Sequence, residues 1–136
     1  MRQVFFFGYN SRMDQVLKIR VDNSTIDGAG RGIFATQDIK KDEVVEICPF
    51  VEIDSEEVGG TLASYVFFFG DKKQKSGLML GYGSLYNHSK SPNAKIEINE
   101  TDRFVRFIAI KDIKKGEEIT FDYYNGKEGD PLWFEV

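Results

Sequence analysis

Cysteine is almost absent from this chain. Cys48 stands alone, which excludes an internal disulfide framework and any cysteine-built zinc cluster. It lies in the strand-like run VVEICPFVEI and reads as a small buried hydrophobe. Histidine is as scarce: there is only His88, and one imidazole cannot build a metal site by itself, so no metal is expected. Apolar runs are short, none approaching the roughly 20 residues that a membrane span needs. The opening MRQVFFFGYNSR has no long apolar core and no small-residue cleavage site, so an intracellular protein without membrane contact is expected. An excess of positive charge is missing too. Eighteen Lys and Arg against 22 Asp and Glu leave a net charge of −4, which argues against direct nucleic-acid binding and suits a basic partner such as a lysine-rich peptide.

What remains is the composition of one soluble domain. A chain of 136 residues can bury one core, and 12 Phe with 6 Tyr predict that rings fill much of it. Helical periodicity is poor, and only 56–71 admits a short helix, weakened by its Gly-Gly pair. Strand patterns dominate: QVLKIRV (15–21) and AKIEIN (94–99) alternate apolar and polar residues, while EVVEICPFVEI (43–53) and RFVRFIAI (103–110) are β-branched and aromatic. Pro49 predicts a break or an edge in the run at 43–53, and NETD (99–102) predicts a hairpin turn. ATQDIKKDEVVEI (35–47) echoes AIKDIKKGEEITF (109–121). Two copies are too few for a solenoid, and the echo predicts two comparable β-corners in one mainly β domain.

Three stretches could carry chemistry. DGAGRGIFA (27–35) has alternate glycines, but a strand-like run follows it where a dinucleotide fingerprint would open a helix. It reads as a tight turn, or as backbone that a ligand can approach closely. NHSKSPN (87–93) is either a surface turn or part of a site. His88 is then a base, a ligand or neither, and a Ser/His pair is disfavoured because adjacent extended side chains point apart. In GEEITFDYYNG (116–126), Tyr123 and Tyr124 are strand-end aromatics, or one supplies a hydroxyl to a substrate.

In this order, glycine turn, N-H-S-x-x-P-N and G-E-E-I-T-F-D-Y, the blocks resemble the SET-domain protein lysine methyltransferases, from about Leu17 to Tyr124. The resemblance implies a mainly β fold of several small curved sheets with a C-terminal pseudoknot. It divides the chain into an N-terminal extension (1–15), a SET domain (16–125) and a short C-terminal segment (126–136). It also implies S-adenosyl-L-methionine as cofactor, lined by backbone at Gly30, Arg31 and Gly32 and held from the other side by Asn87 and His88, the latter mainly through its backbone. On that reading His88 is neither base nor metal ligand.

Tyr123 matches the catalytic tyrosine. Tyr65 resembles a tyrosine of the lysine channel that also borders the cofactor, with a core aromatic as its alternative. Phe121 occupies the Phe/Tyr switch position, where phenylalanine implies di- or trimethylation. Trp133 or Phe134 would pack over the adenine, or else plug the core. The chain departs from the family in having Lys90 after N-H-S and in lacking cysteine-rich flanking modules, like the small stand-alone SET proteins of viruses and bacteria. The implied partner is a lysine-containing protein, with a histone tail expected. A non-histone lysine-rich protein and a non-catalytic module that binds lysine-rich peptides are the alternatives. The apolar strings VFFFGY (4–9) and VFFFGD (66–71) make a homodimer possible if they stay exposed.

Overall fold

Residues 16–70 and 75–124 are described by the structure, a computed structural model. Their β-branched and aromatic runs form nine strands: β1 (Ile19–Asn23), β2 (Arg31–Ala35), β3 (Val44–Ile53), β4 (Val66–Phe69), β5 (Lys75–Met79), β6 (Asn87–His88), β7 (Ala94–Asn99), β8 (Phe104–Ala109) and β9 (Glu118–Phe121). The region expected to allow a helix holds only two turns of 3-10 helix, at Ser55–Glu57 and Gly60–Ser64, before β4 begins. Asp54 caps the first through its side chain. The Gly59-Gly60 pair separates the two, and Gly60 lies at φ 57°, outside right-handed helix.

Two sheets result, ordered β1-β2-β9-β6 and β4-β5-β3-β8-β7. In the first, β9 is antiparallel to β2 but parallel to the two-residue β6, pairing Asn87 with Thr120 and His88 with Phe121. The last strand thus lies between two earlier segments, as the pseudoknot requires. In the second sheet β3 is central by order, but Pro49 lies at a local edge, where its pairing changes from one neighbour to the other. β3 pairs with β8 over Val44–Pro49 and with β5 over Phe50–Ile53. The Pro49 carbonyl accepts from Leu80 N–H at 2.8 Å, and the N–H that proline lacks would point to that same side, where β5 has already ended. The turn at 99–102 forms as expected, with Asp102 N–H donating to Asn99 Oδ1 at 2.9 Å.

The echoed segments pack against each other as near-mirror partners. Ile39 and Ile113 exchange N–H···O bonds of 2.8 and 2.7 Å, and both are buried. Each Asp then accepts from the other corner: Lys41 N–H donates to Asp112 and Lys115 N–H to Asp38, both at 2.9 Å. Asp42 N–H meets Ala109 O and Gly116 N–H meets Ala35 O, both at 2.8 Å. These corners join the two sheets over a core that includes Ile33, Cys48, Phe50, Phe69, Tyr86, Val105, Phe107 and Phe121. Phe68 on edge strand β4 is left 53% exposed. No helix among the described residues is long and apolar enough to cross a membrane.

Candidate active site

The β6–β9 pairing brings N-H-S and T-F-D-Y side by side, and Tyr123 follows directly from β9. Its backbone N–H donates to His88 Nδ1 at 3.0 Å, and its hydroxyl donates to the Tyr86 carbonyl at 2.9 Å. The Tyr123 ring lies edge-on to His88, with centroids 5.1 Å apart, and tilted against Phe121 at 5.0 Å. Although 39% of the residue is exposed, its hydroxyl end is enclosed. Burial pushes the phenol up to about 12, against a smaller opposing effect of a hydrogen bond from the His88 backbone. Tyr123 is therefore a neutral hydrogen-bonding group at ordinary pH and not a base.

His88 is 4% exposed. Its pKa is lowered by burial, with Asp122 opposing and Lys90 adding to the shift. A ring that accepts at Nδ1 from Tyr123 N–H carries its proton on Nε2. Among the described residues, Nε2 has no partner. A buried donor without an acceptor costs free energy.

The glycine loop is tied to the same place by Glu118, a residue that sequence reasoning left without a role. Its Oε1 accepts from Ser24 Oγ at 2.7 Å and Asn87 Nδ2 at 2.9 Å, and its Oε2 accepts from Thr25 N and Oγ1 at 3.2 and 3.0 Å. Asn87 Nδ2 also donates to the Arg31 carbonyl at 2.9 Å. A Cβ at Gly32 would collide with Glu118 Oε1 and lie 3.0 Å from Asn87 Nδ2, so only glycine fits. Gly30 is required for another reason: it lies at φ 77°. A side chain there would meet nothing within 4 Å, which leaves its backbone open to a ligand. Asn93, also without an assigned role, holds β9 like a strand neighbour: Nδ2 donates to Glu118 O at 2.8 Å and Oδ1 accepts from Thr120 N–H at 2.9 Å. Both residues lie inside the two quoted motifs, which was the available signal.

Gly30, Arg31, Gly32, Asn87, His88, Phe121 and Tyr123 thus form one contiguous site. Tyr65 is 38% exposed at the end of the second 3-10 turn. Trp133 and Phe134 lie outside the described residues. No group of three or more His, Cys, Asp or Glu among the described residues is arranged to hold a metal ion.

A SET domain family model matches residues 30–124. The histone-lysine N-methyltransferase specific for H3 lysine-37 from Schizosaccharomyces pombe is 32% identical over 111 residues, covering 78% of this chain and 71% of its own. A crystal structure of a candidate histone methyltransferase from Plasmodium falciparum is 36% identical with a TM-score of 0.68, covering 87% of this chain and 98% of its own. The ctPRC2 structure in an autoinhibited conformation bound to S-adenosylmethionine is 25% identical with a TM-score of 0.66, covering 82% of this chain and 16% of its own.

Proposed function

The chain belongs to the SET domain family and is a protein-lysine methyltransferase, and we propose that it transfers methyl groups from S-adenosyl-L-methionine to a lysine of a histone tail, carrying that lysine to the di- or trimethylated state. The observation that carries the reading is the Tyr123 constellation: a phenol kept neutral, fixed at both ends, beside an unpartnered buried donor and an open glycine loop. The residues present fit the cofactor. Backbone at Gly30, Arg31 and Gly32, with Asn87 and His88, would hold it, and His88 Nε2 supplies a donor that needs an acceptor. When bound, the cofactor supplies a methyl group activated on a sulfonium.

The chain's own part is alignment and deprotonation. Free lysine, with a pKa near 10.4, costs about 4.6 kcal/mol to neutralise at pH 7. An aromatic channel lowers that cost by desolvating the ammonium. Tyr123 at its mouth orients the neutral amine, and the proton leaves to water. Phe121 is buried against Phe107 and Tyr123, and its ring carries no hydroxyl to fix a water where a second methyl must fit. Tyr65 is assigned to the channel on the family resemblance. The histone target is supported by the names of the relatives and by the net charge of −4, and it fits an intracellular protein, cytoplasmic or on chromatin depending on the organism.

The test is methyl transfer from labelled S-adenosylmethionine to a histone mixture, read by mass spectrometry. Di- or trimethyl-lysine on a histone supports the reading, and label on another lysine-rich protein alone would replace the histone target. Cofactor binding without transfer to any protein would favour the non-catalytic alternative.

A further inference from the structure

Glu46 is a carboxylate in the core of β3, 3% exposed, and among the described residues no cation pairs with it. Burying an unpaired charge is expensive unless hydrogen bonds surround it. Here two donors come from the turn that leads into the transfer site, and the Cys48 thiol beside it on β3 hydrogen-bonds the same carboxylate. Oε2 accepts from Tyr82 N–H at 3.0 Å, and Oε1 accepts from the Tyr86 hydroxyl at 2.8 Å. Gly81 has no room for a side chain, since a Cβ there would lie 2.7 Å from Glu46 Oε2. Cys48 Sγ lies against the same turn, 3.0 Å from where a Cβ on Gly83 would be.

One carboxylate therefore grips residues 82 and 86, the two ends of a short 3-10 turn (Gly83–Leu85). Tyr86 is 1% exposed and its ring stacks on Phe107 with centroids 3.9 Å apart. Its side chain can take one position, and its backbone follows. The carbonyl so fixed accepts from the Tyr123 hydroxyl.

We propose that Glu46 is a positioning residue for methyl transfer: through Tyr86 it sets the carbonyl that aims the Tyr123 hydroxyl. A core stability role alone would not require that the charge face this turn and no other. The inference rests on the reading of Tyr123 as the residue at the transfer site. Glu46 touches neither substrate nor cofactor in this scheme. It acts at a distance of one tyrosine, so its loss should alter turnover and spare cofactor binding.

The experiment compares Glu46→Gln, Tyr86→Phe and the double variant with the wild-type chain. Glutamine can accept from Tyr82 N–H only by turning its NH2 toward Tyr86, so the Tyr86 hydroxyl can no longer donate there and must reverse to an acceptor. Both single variants are expected to lower kcat about tenfold while the Kd for S-adenosylmethionine and the KM for peptide stay within about twofold. The double variant is expected to be no worse than the poorer single one, since both remove the same link. Tyr123 itself can be read without turnover, from the tyrosinate absorbance lost when Tyr123→Phe is added to each background. Loss of a hydrogen bond that holds the neutral phenol should move its titration down from about 12, by less than burial raises it.

Variants that melt earlier yet keep wild-type kcat and the high Tyr123 titration would overturn the proposal and leave Glu46 a core residue. If Glu46→Gln does not fold, Tyr86→Phe interrogates the same bond from the other side. A wild-type chain that methylates nothing would refute the functional reading alone, because the Tyr123 titration still decides whether Glu46 sets its hydroxyl.

Discussion

The Tyr123 hydroxyl lies 2.9 Å from the Tyr86 carbonyl oxygen, while the Tyr123 N–H lies 3.0 Å from His88 Nδ1. One residue is thus held at both its backbone and its tip, by His88 in β6 and by Tyr86 two residues before it. Tyr123→Phe keeps the ring and loses only the tip. The kcat is expected to fall about a hundredfold or more, the usual scale for removing a preorganised group at a reacting centre, with cofactor Kd changed less than twofold. Single-turnover transfer alongside calorimetric titration separates the two quantities.

Phe121 offers a test of product state rather than rate. Phe121→Tyr adds a hydroxyl within a ring cluster of Phe107 and Tyr123. Mass spectrometry of a peptide held with excess cofactor should show monomethyl-lysine accumulating in the variant, where the wild type continues to di- or trimethyl-lysine. Wild-type product that stops at one methyl would contradict the assignment of Phe121.

The glycine loop should be intolerant at one carbon atom. In Gly32→Ala the new methyl displaces Glu118, whose carboxylate serves Ser24, Thr25 and Asn87. Cofactor affinity is expected to fall about tenfold or more, equivalent to about 1.4 kcal/mol. Glu118→Ala should cost a similar amount, and the double variant little beyond either. Additive losses in a titration series would show that the loop and Glu118 act independently.

Acid should weaken the fold through His88. Burial holds its pKa below the ordinary 6.5, with Asp122, Lys90, Tyr123 and Tyr124 around it. As pH falls through about 6.5 the unfolded chain takes up a proton that the folded chain refuses, so the unfolded state binds more protons and stability declines. The decline ends once pH passes the lower, folded value, and above about 7 the contribution is constant. Melting from pH 7.5 to 5 should show a larger drop in Tm for wild type than for His88→Asn, whose amide oxygen can still accept from Tyr123 N–H without titrating.

At the paired corners Asp42 and Gly116 are equivalent, at φ 71° and 92°. The left-handed region strains any residue with a Cβ, and Asp42 is exposed, so its side chain offers little in return. Asp42→Gly is expected to stabilise the chain by roughly 0.5–1 kcal/mol, or about 2–5 °C in Tm. Gly116→Asp should have the opposite sign. Thermal melts of both variants decide it.

Strand positions were largely legible because alternation and β-branching are local properties: AKIEIN is β7 residue for residue, and β3 and β8 fall within their expected runs. The motif blocks located the site because each residue type there has a local job, such as Gly32 under a carboxylate. Pro49 marked a local edge inside a central strand, and which neighbour strand ends beside it is a tertiary fact. The helix allowed at 56–71 competed with a left-handed Gly60 that composition does not reveal. Glu46 and Glu118 were hidden for a similar reason. An acidic residue in a strand pattern reads as solvent-facing, and only the fold shows donors 31–94 residues away converging on it.

The placement of β9 between β2 and β6 has a consequence for biosynthesis. A nascent chain that has emerged through Glu117 already carries the glycine loop, the N-H-S segment and Asn93, but not the strand that bonds to all of them. Cofactor affinity therefore cannot build up gradually as the ribosome advances. It arises when β9 docks between β2 and β6, and until then a translating polysome carries a scaffold with no enzyme on it.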